Sequence, residues 1–165
     1  MPATNEKEAR RVKVIEVLNT ARSMELHAIH QYMNQHYNLD NMDYGQLAAG
    51  VKKAAIDEMR HAEMFAERIA DLNGQPTTEI AGKVMRGQTV DEVFPFDANQ
   101  EDDTMDAYNR FMIICRENLD GVSATLFETI INEEMEHFNY FDDIGRHIKE
   151  LGQSFLAKVA GTPAE

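Results

Sequence analysis

Two stretches of this 165-residue chain repeat one chemically loaded pattern, a glutamate followed three residues later by a histidine: Glu58-x-x-His61 and Glu134-x-x-His137. A further glutamate stands 33 residues before each of them, Glu25 before Glu58 and Glu101 before Glu134. On a helix, side chains at i and i+3 share a face, so each Glu and His can reach one ion. Carboxylate and imidazole together suit iron. If all six turn inward, four carboxylates and two imidazoles enter a core, where even one unpaired carboxylate costs several kcal/mol and like charges nearby raise that cost. Two divalent or trivalent cations would compensate them. A single Glu-x-x-His arises by chance in acidic helices. Two of them, each with an upstream Glu at equal spacing, make a specific signal.

The elements that must position these residues are long helices. Pro and Gly are sparse, and the stretches free of both read as helix. The expected spans are about 6–39, 44–72, 89–119 and 120–151, with a short tail helix over 154–160. Asn73-Gly74 closes the second helix. The third starts between Thr89, which forms a capping box with Glu92, and Asp97, because Pro95 would kink a helix begun early. Residues 74–88 hold Pro76, Gly82 and Gly87 and read as a crossing connection. Fifteen extended residues reach roughly 50 Å, enough to return along a thirty-residue helix.

Alternating steps of four and three trace one stripe along each helix. The first gives Val14, Leu18, Ala21, Glu25, Ala28, Tyr32, Gln35 and Leu39. The second gives Leu47, Val51, Ala54, Glu58, His61, Phe65 and Leu72. The third gives Phe94, Ala98, Glu101, Met105, Tyr108, Met112, Cys115 and Leu119. The fourth gives Phe127, Ile130, Glu134, His137, Phe141, Ile144, Ile148 and Leu151. Each stripe is mostly apolar, as a bundle seam requires, and is interrupted near its middle by the residues singled out above. A Glu from each of two helices with Glu-x-x-His from the other two is the ligand plan of ferritin-like di-metal bundles. The fold expected is therefore all-α, a ferritin-like four-helix bundle with one long crossover and a short C-terminal fifth helix, in a single domain over residues 1–165.

Composition narrows the function classes. A net charge of −13 argues against a nucleic-acid partner, which would need clustered Lys and Arg. No apolar run approaches the ~20 residues that span a membrane. The first residues are polar and charged, without the apolar middle of a signal peptide. The single cysteine, Cys115, allows no internal disulfide and reads as a small buried apolar residue. A cytoplasmic address is expected.

From residue 12 onward the chain resembles a bacterioferritin. The matching stretches are LNTARSMELHAIHQY around Glu25, AIDEMRHAEMFAERI around Glu58 and INEEMEHF around Glu134, with Leu151-Gly152 also fitting. The resemblance places a ferroxidase centre on Glu25, Glu58, His61, Glu101, Glu134 and His137. It implies that Glu58 and Glu134 bridge two irons, Glu25 with His61 capping one and Glu101 with His137 the other. It also implies that Met59, inside Asp57-Glu58-Met59-Arg60-His61, binds a haem-type iron porphyrin shared by two subunits. Geometry agrees that Met59 serves another purpose than the centre: at about 100° per residue it points roughly 130° away from Glu58 and His61. Lys53 departs from those family members that carry a histidine there as an inner-surface iron site. The implied activity is ferroxidation by O2 or H2O2 with storage of Fe3+ mineral. The implied assembly is a 24-mer of haem-bridged dimers, reduced through a small ferredoxin. The rival readings are a di-iron peroxidase or oxygenase that stores nothing, and a porphyrin-binding electron carrier. Tyr32 reads as a core aromatic within reach of a ligand; His27, His30, His36 and His147 read as surface or interface residues.

Overall fold

In the computed structural model, which describes residues 2–164, five helices follow one another: α1 Pro2–Asn41, α2 Gly45–Asp71, α3 Val90–Glu117, α4 Gly121–Leu151 and α5 Gln153–Val159. The described residues contain no strand beyond an isolated bridge between Tyr44 and Thr162. Short turns make α1 antiparallel to α2 and α3 antiparallel to α4. Asn73 supplies the left-handed residue that closes α2 (φ 57°), and the Gly74 N–H bonds back to the Ile69 carbonyl at 2.8 Å.

The connection from α2 to α3 climbs along α1 in the direction of α1 itself. Asn19 and Arg22 hold Thr77, the Ser23 carbonyl accepts from Ala81 N–H at 3.0 Å, and Gln31 clasps both backbone groups of Met85. The chain thus enters α3 beside the C-terminal half of α1. Successive α1–α3 contacts, Gln35 with Asp97, Tyr32 with Glu101 and Glu25 with Tyr108, then run in opposite senses. So α3 is antiparallel to α1 and parallel to α2, the arrangement that the long crossover permits.

Helix α3 starts at the early end of its expected range. The Thr89 N–H donates to Glu92 Oε2 at 2.9 Å, and Val90, Val93 and Phe94 are buried. Each such apolar burial is worth roughly 1.5–3 kcal/mol, which offsets the ~3 kcal/mol cost of Pro95 inside a helix. Two expected seam residues are not in the core. Leu119 is 78% exposed and Leu151 54%, because both lie where a helix ends and leaves the bundle. Leu119 has φ 60° in the α3–α4 turn.

The apolar core is split in two. One cluster gathers Leu39, Leu47, Phe94, Phe141 and Ile148 with Leu156 and Val159 of α5. The other gathers Val14, Leu18, Phe65, Tyr108, Cys115 and Phe127. Between them lies a buried polar layer.

Candidate metal centre

The polar layer consists of the six residues singled out from spacing. Glu25, Glu58, His61, Glu101, Glu134 and His137 are all buried, the last at 7% exposure and the rest at 2% or less. They form two overlapping groups, Glu25–Glu58–His61–Glu134 and Glu58–Glu101–Glu134–His137; within each, one potential ligand atom per residue lies within 4.8 Å of the others. Glu58 and Glu134 belong to both groups. Each half of the chain contributes the same way, and corresponding residues stand 76 positions apart: Glu25 and Glu101, Glu58 and Glu134, His61 and His137.

Both imidazoles turn Nδ1 inward. His61 Nδ1 lies 2.8 Å from Glu58 Oε2 and 3.1 Å from Glu134 Oε1; His137 Nδ1 lies 3.0 Å from Glu134 Oε2 and 3.0 Å from Glu58 Oε1. One Nδ1–H can serve only one of its two neighbours with good geometry. Each hydrogen-bonds the Glu of its own helix, leaving Glu58 Oε1 and Glu134 Oε1 buried without a hydrogen-bond partner. Buried oxygens without a donor are uncommon and require an explanation. Two cations between the carboxylates provide one, since anionic oxygen and neutral imidazole nitrogen are the donors such ions take.

The second ring nitrogens turn outward onto carboxylates. His61 Nε2 meets Glu133 Oε2 at 2.7 Å, and His137 Nε2 meets Asp57 Oδ2 at 3.2 Å. This bracing fixes the ring and its tautomer, as the outer partners of metal-ligating histidines generally do. Asp57 and Glu133 again stand 76 residues apart, each just before the Glu of its own helix. Each therefore braces the histidine of the other Glu-x-x-His helix. The phenols complete the set: Tyr32 donates to Glu101 Oε1, and Tyr108 donates to Glu25 Oε1 at 2.5 Å. Tyr32 and Tyr108 each lie seven residues after a Glu of the layer, Glu25 and Glu101.

Without cations the layer is balanced by protons. Burial pushes the Glu25 and Glu101 carboxyls well above the usual range, and the charges of Glu58 and Glu134 push them further. Burial alone would also raise Glu58, but the imidazoles of His137 and His61 close beside it bring it down to about 2. Burial would lower the histidines; Glu134 and Glu58 instead raise His61 to about 12 and His137 to about 11.

The remaining candidates lie apart from the layer. Met59 faces away from the centre and is 45% exposed beside Ile56, one turn earlier and 53% exposed. Lys53 points outward and pairs with Asp57 at 3.4 Å. His30 is exposed, while His27 is held by Lys83 and Gln100. His36 corrects the sequence expectation of a surface position: it is buried, with Nδ1–H donating to the Ala48 carbonyl at 2.9 Å where α1 packs on α2. Asp57, Glu133 and the hydrogen bond of Tyr108 do not follow from the seam spacing. The 76-residue recurrence of acid-Glu-x-x-His and of the tyrosines could have revealed them.

Comparison with known proteins agrees with this geometry. Residues 15–152 match the family model described as Ferritin-like domain. A bacterioferritin of Desulfovibrio desulfuricans is 61% identical over 158 residues, covering 96% of this chain and 88% of that protein. One from Mycobacterium bovis is 36% identical, covering 87% and 91%. The crystal structure of the Desulfovibrio desulfuricans bacterioferritin, described with its diiron site in different catalytic states, superposes with a TM-score of 0.95 over 96% of this chain and 93% of that one. Mycobacterium tuberculosis BfrA superposes with a TM-score of 0.84 at 34% identity, over 89% of this chain and 93% of that one. With its bundle, its crossover and its buried carboxylate–histidine layer, the chain belongs to the bacterioferritin family.

Proposed function

We propose that this chain is the subunit of an iron-storing shell and a ferroxidase. Two Fe2+ ions are its substrate. They enter the buried layer, displace the protons held there and take Glu58 and Glu134 as shared ligands, with Glu25 and His61 on one side and Glu101 and His137 on the other. The observation that carries this reading is the pair of donor-less oxygens, Glu58 Oε1 and Glu134 Oε1, between two inward-facing imidazoles. Four carboxylates favour the higher charge of Fe3+, so the site drives iron oxidation. Each pair of Fe2+ gives up two electrons, taken with two protons by O2 to give H2O2, or by H2O2 to give water. The Fe3+ product is then deposited in the interior of a 24-subunit particle, whose subunits at −13 each attract cations.

Met59 supports a second component, a haem-type iron porphyrin shared by two subunits. An exposed thioether with Ile56 beside it offers both a soft ligand and an apolar face for a macrocycle. The residue 76 positions later, Met135, is equally exposed at 45%, but the counterpart of Ile56 on that helix is Asn132. Of these two related faces, the one around Met59 is the better seat for a porphyrin. Such a group would supply an electron relay from a small ferredoxin to stored iron.

The deciding experiment adds Fe2+ under air in hundreds per particle and measures iron retained after gel filtration. Retention far beyond two irons per subunit is expected. Retention of two per subunit with continued turnover would replace storage with a di-iron peroxidase or oxygenase. Replacing Glu58 and Glu134 together by Ala should slow oxidation at least about a hundred-fold; an unchanged rate would remove the centre.

A further inference from the structure

Beyond the six-residue layer, two of three further buried oxygens without a donor belong to residues joined by a single contact, Gln35 Oε1 and Asp97 Oδ2; the third is Gln100 Oε1. Both residues are fully buried. Gln35 Nε2 donates to Asp97 Oδ1 at 2.7 Å and to Gln88 Oε1 at 2.9 Å. Its two N–H bonds are therefore both used, and the Gln88 contact fixes which way the amide faces. The amide and the carboxyl meet through Gln35 Nε2 and Asp97 Oδ1, and each has one oxygen left over.

An ionised Asp97 would bury its second oxygen with no donor, and the carbonyl oxygen of its partner Gln35 has none either. Burying an unpaired carboxylate costs several kcal/mol, and no Lys, Arg or His among the described residues forms an ion pair with Asp97. One proton satisfies both oxygens. If Oδ2–H donates to Gln35 Oε1 while Gln35 Nε2 donates to Oδ1, a cyclic acid–amide pair closes. We infer that Asp97 is a neutral carboxylic acid paired edge to edge with Gln35, and that this pair is a positioning element for the Tyr32–Glu101 contact of the metal centre.

The placement supplies the role. Gln35 lies one turn after Tyr32 on α1, and Asp97 lies one turn before Glu101 on α3. The pair ties the two helices together next to the hydrogen bond from Tyr32 to Glu101. Burial pushes the Asp97 carboxyl well up, against the opposing effect of the Gln35 hydrogen bond. The ionisable groups facing it are phenols, Tyr32 on α1 and Tyr140 on α4; burial and Asp97 raise Tyr140 to about 12. Neither phenol supplies a cation. A neutral acid gives the two-point grip of a carboxyl group without another negative charge near a layer already rich in them. The role toward Glu101 rests on the ferroxidase reading; the protonation of Asp97 does not.

Infrared difference spectroscopy at neutral pH tests the pairing. The comparison is wild type against Asp97→Asn, metal-free and loaded with Zn2+, which occupies the ligands Glu25 and Glu101. A carboxylic-acid C=O band that shifts in D2O, survives Zn2+ loading and vanishes in Asp97→Asn is expected. Absence of any such difference overturns the proposal. The positioning role is read from the rate of Fe2+ oxidation. Asp97→Leu should slow it about ten-fold, and Asp97→Asn should restore it to within about two-fold, because an Asn amide can make the same two-point pair with Gln35. Asn as slow as Leu overturns the positioning role, and should Asp97→Leu not fold, the infrared comparison still decides the pairing. A Zn2+ stoichiometry far from two per subunit, with the acid band intact, would count against the ferroxidase reading and leave the acid–amide pair standing.

Discussion

Glu133 and Asp57 show how much of a metal site lies outside its ligands. Each accepts from the outer nitrogen of a histidine on another helix, so ring orientation at the centre depends on a carboxylate that cannot itself reach an ion there. Loss of such an outer partner typically costs ten- to a hundred-fold in metal affinity. Glu133→Gln with Asp57→Asn should therefore weaken Co2+ binding by about ten-fold or more while still allowing two ions per subunit, as read by titration of the Co2+ visible absorption. Unchanged affinity would mean that the rings are held by packing alone. These two residues were not legible in the seam pattern for a definite reason. A residue beside a ligand in sequence is about 100° away around the helix. Its contact exists only once α2 and α4 face each other across the bundle. That the six residues of the layer turn inward was legible because their own helices fix their direction.

At the scale of elements, the ends proved less predictable than the middles. Seam residues in the middles of the helices are buried or, as with Ala28, Met112 and Ile144, partly buried, whereas Leu119 and Leu151 follow the same period and are exposed. Periodicity states which face a residue occupies, not whether a partner helix extends that far. What fixes the start of α4 is Asp120. Its side chain accepts from Ser123 N–H at 2.9 Å and Ser123 Oγ–H at 2.8 Å, and Arg68 Nη2 of α2 bonds both of its oxygens at 3.0 Å. Burial by itself would raise the Asp120 pKa; the Ser123 and Arg68 contacts outweigh it and lower it. A carboxylate whose folded pKa is depressed gives stability that is complete above its unfolded value near 3.8 and is lost as pH falls through the folded one. Asp120→Ala should cost about 2 kcal/mol at neutral pH, and its difference from wild type should shrink below about pH 4. Asp120→Asn, which can still cap, should lose less. Urea midpoints across pH give the comparison, and a difference that is flat with pH would exclude the ionised cap as the cause.

At the scale of the whole molecule, the two halves of the chain are alike at the centre and unlike at the surface. The layer repeats almost residue for residue between α1–α2 and α3–α4, down to the bracing acids and tyrosines. Outside the layer, Ile56 is matched by Asn132, Lys52 by Glu128 and Arg60 by Glu136. The internal symmetry suits a pocket for two ions, as proposed, and its breaking leaves one apolar face around Met59 rather than two. Under this proposal Met59 would supply one ligand to a porphyrin iron, and a second such ligand would have to come from another subunit. Reconstitution with an iron porphyrin should therefore saturate at half a porphyrin per chain, and Met59→Ala should lose the absorption of the bound group. Iron uptake by the same variant should stay close to wild type, because the exposed Met59 side chain is not part of the buried layer. Release of stored iron as Fe2+, driven by electrons from a reduced ferredoxin, should instead slow. Should Met59→Ala retain its porphyrin while Met135→Ala loses it, the macrocycle would sit on α4, and the asymmetry between the halves would need another explanation.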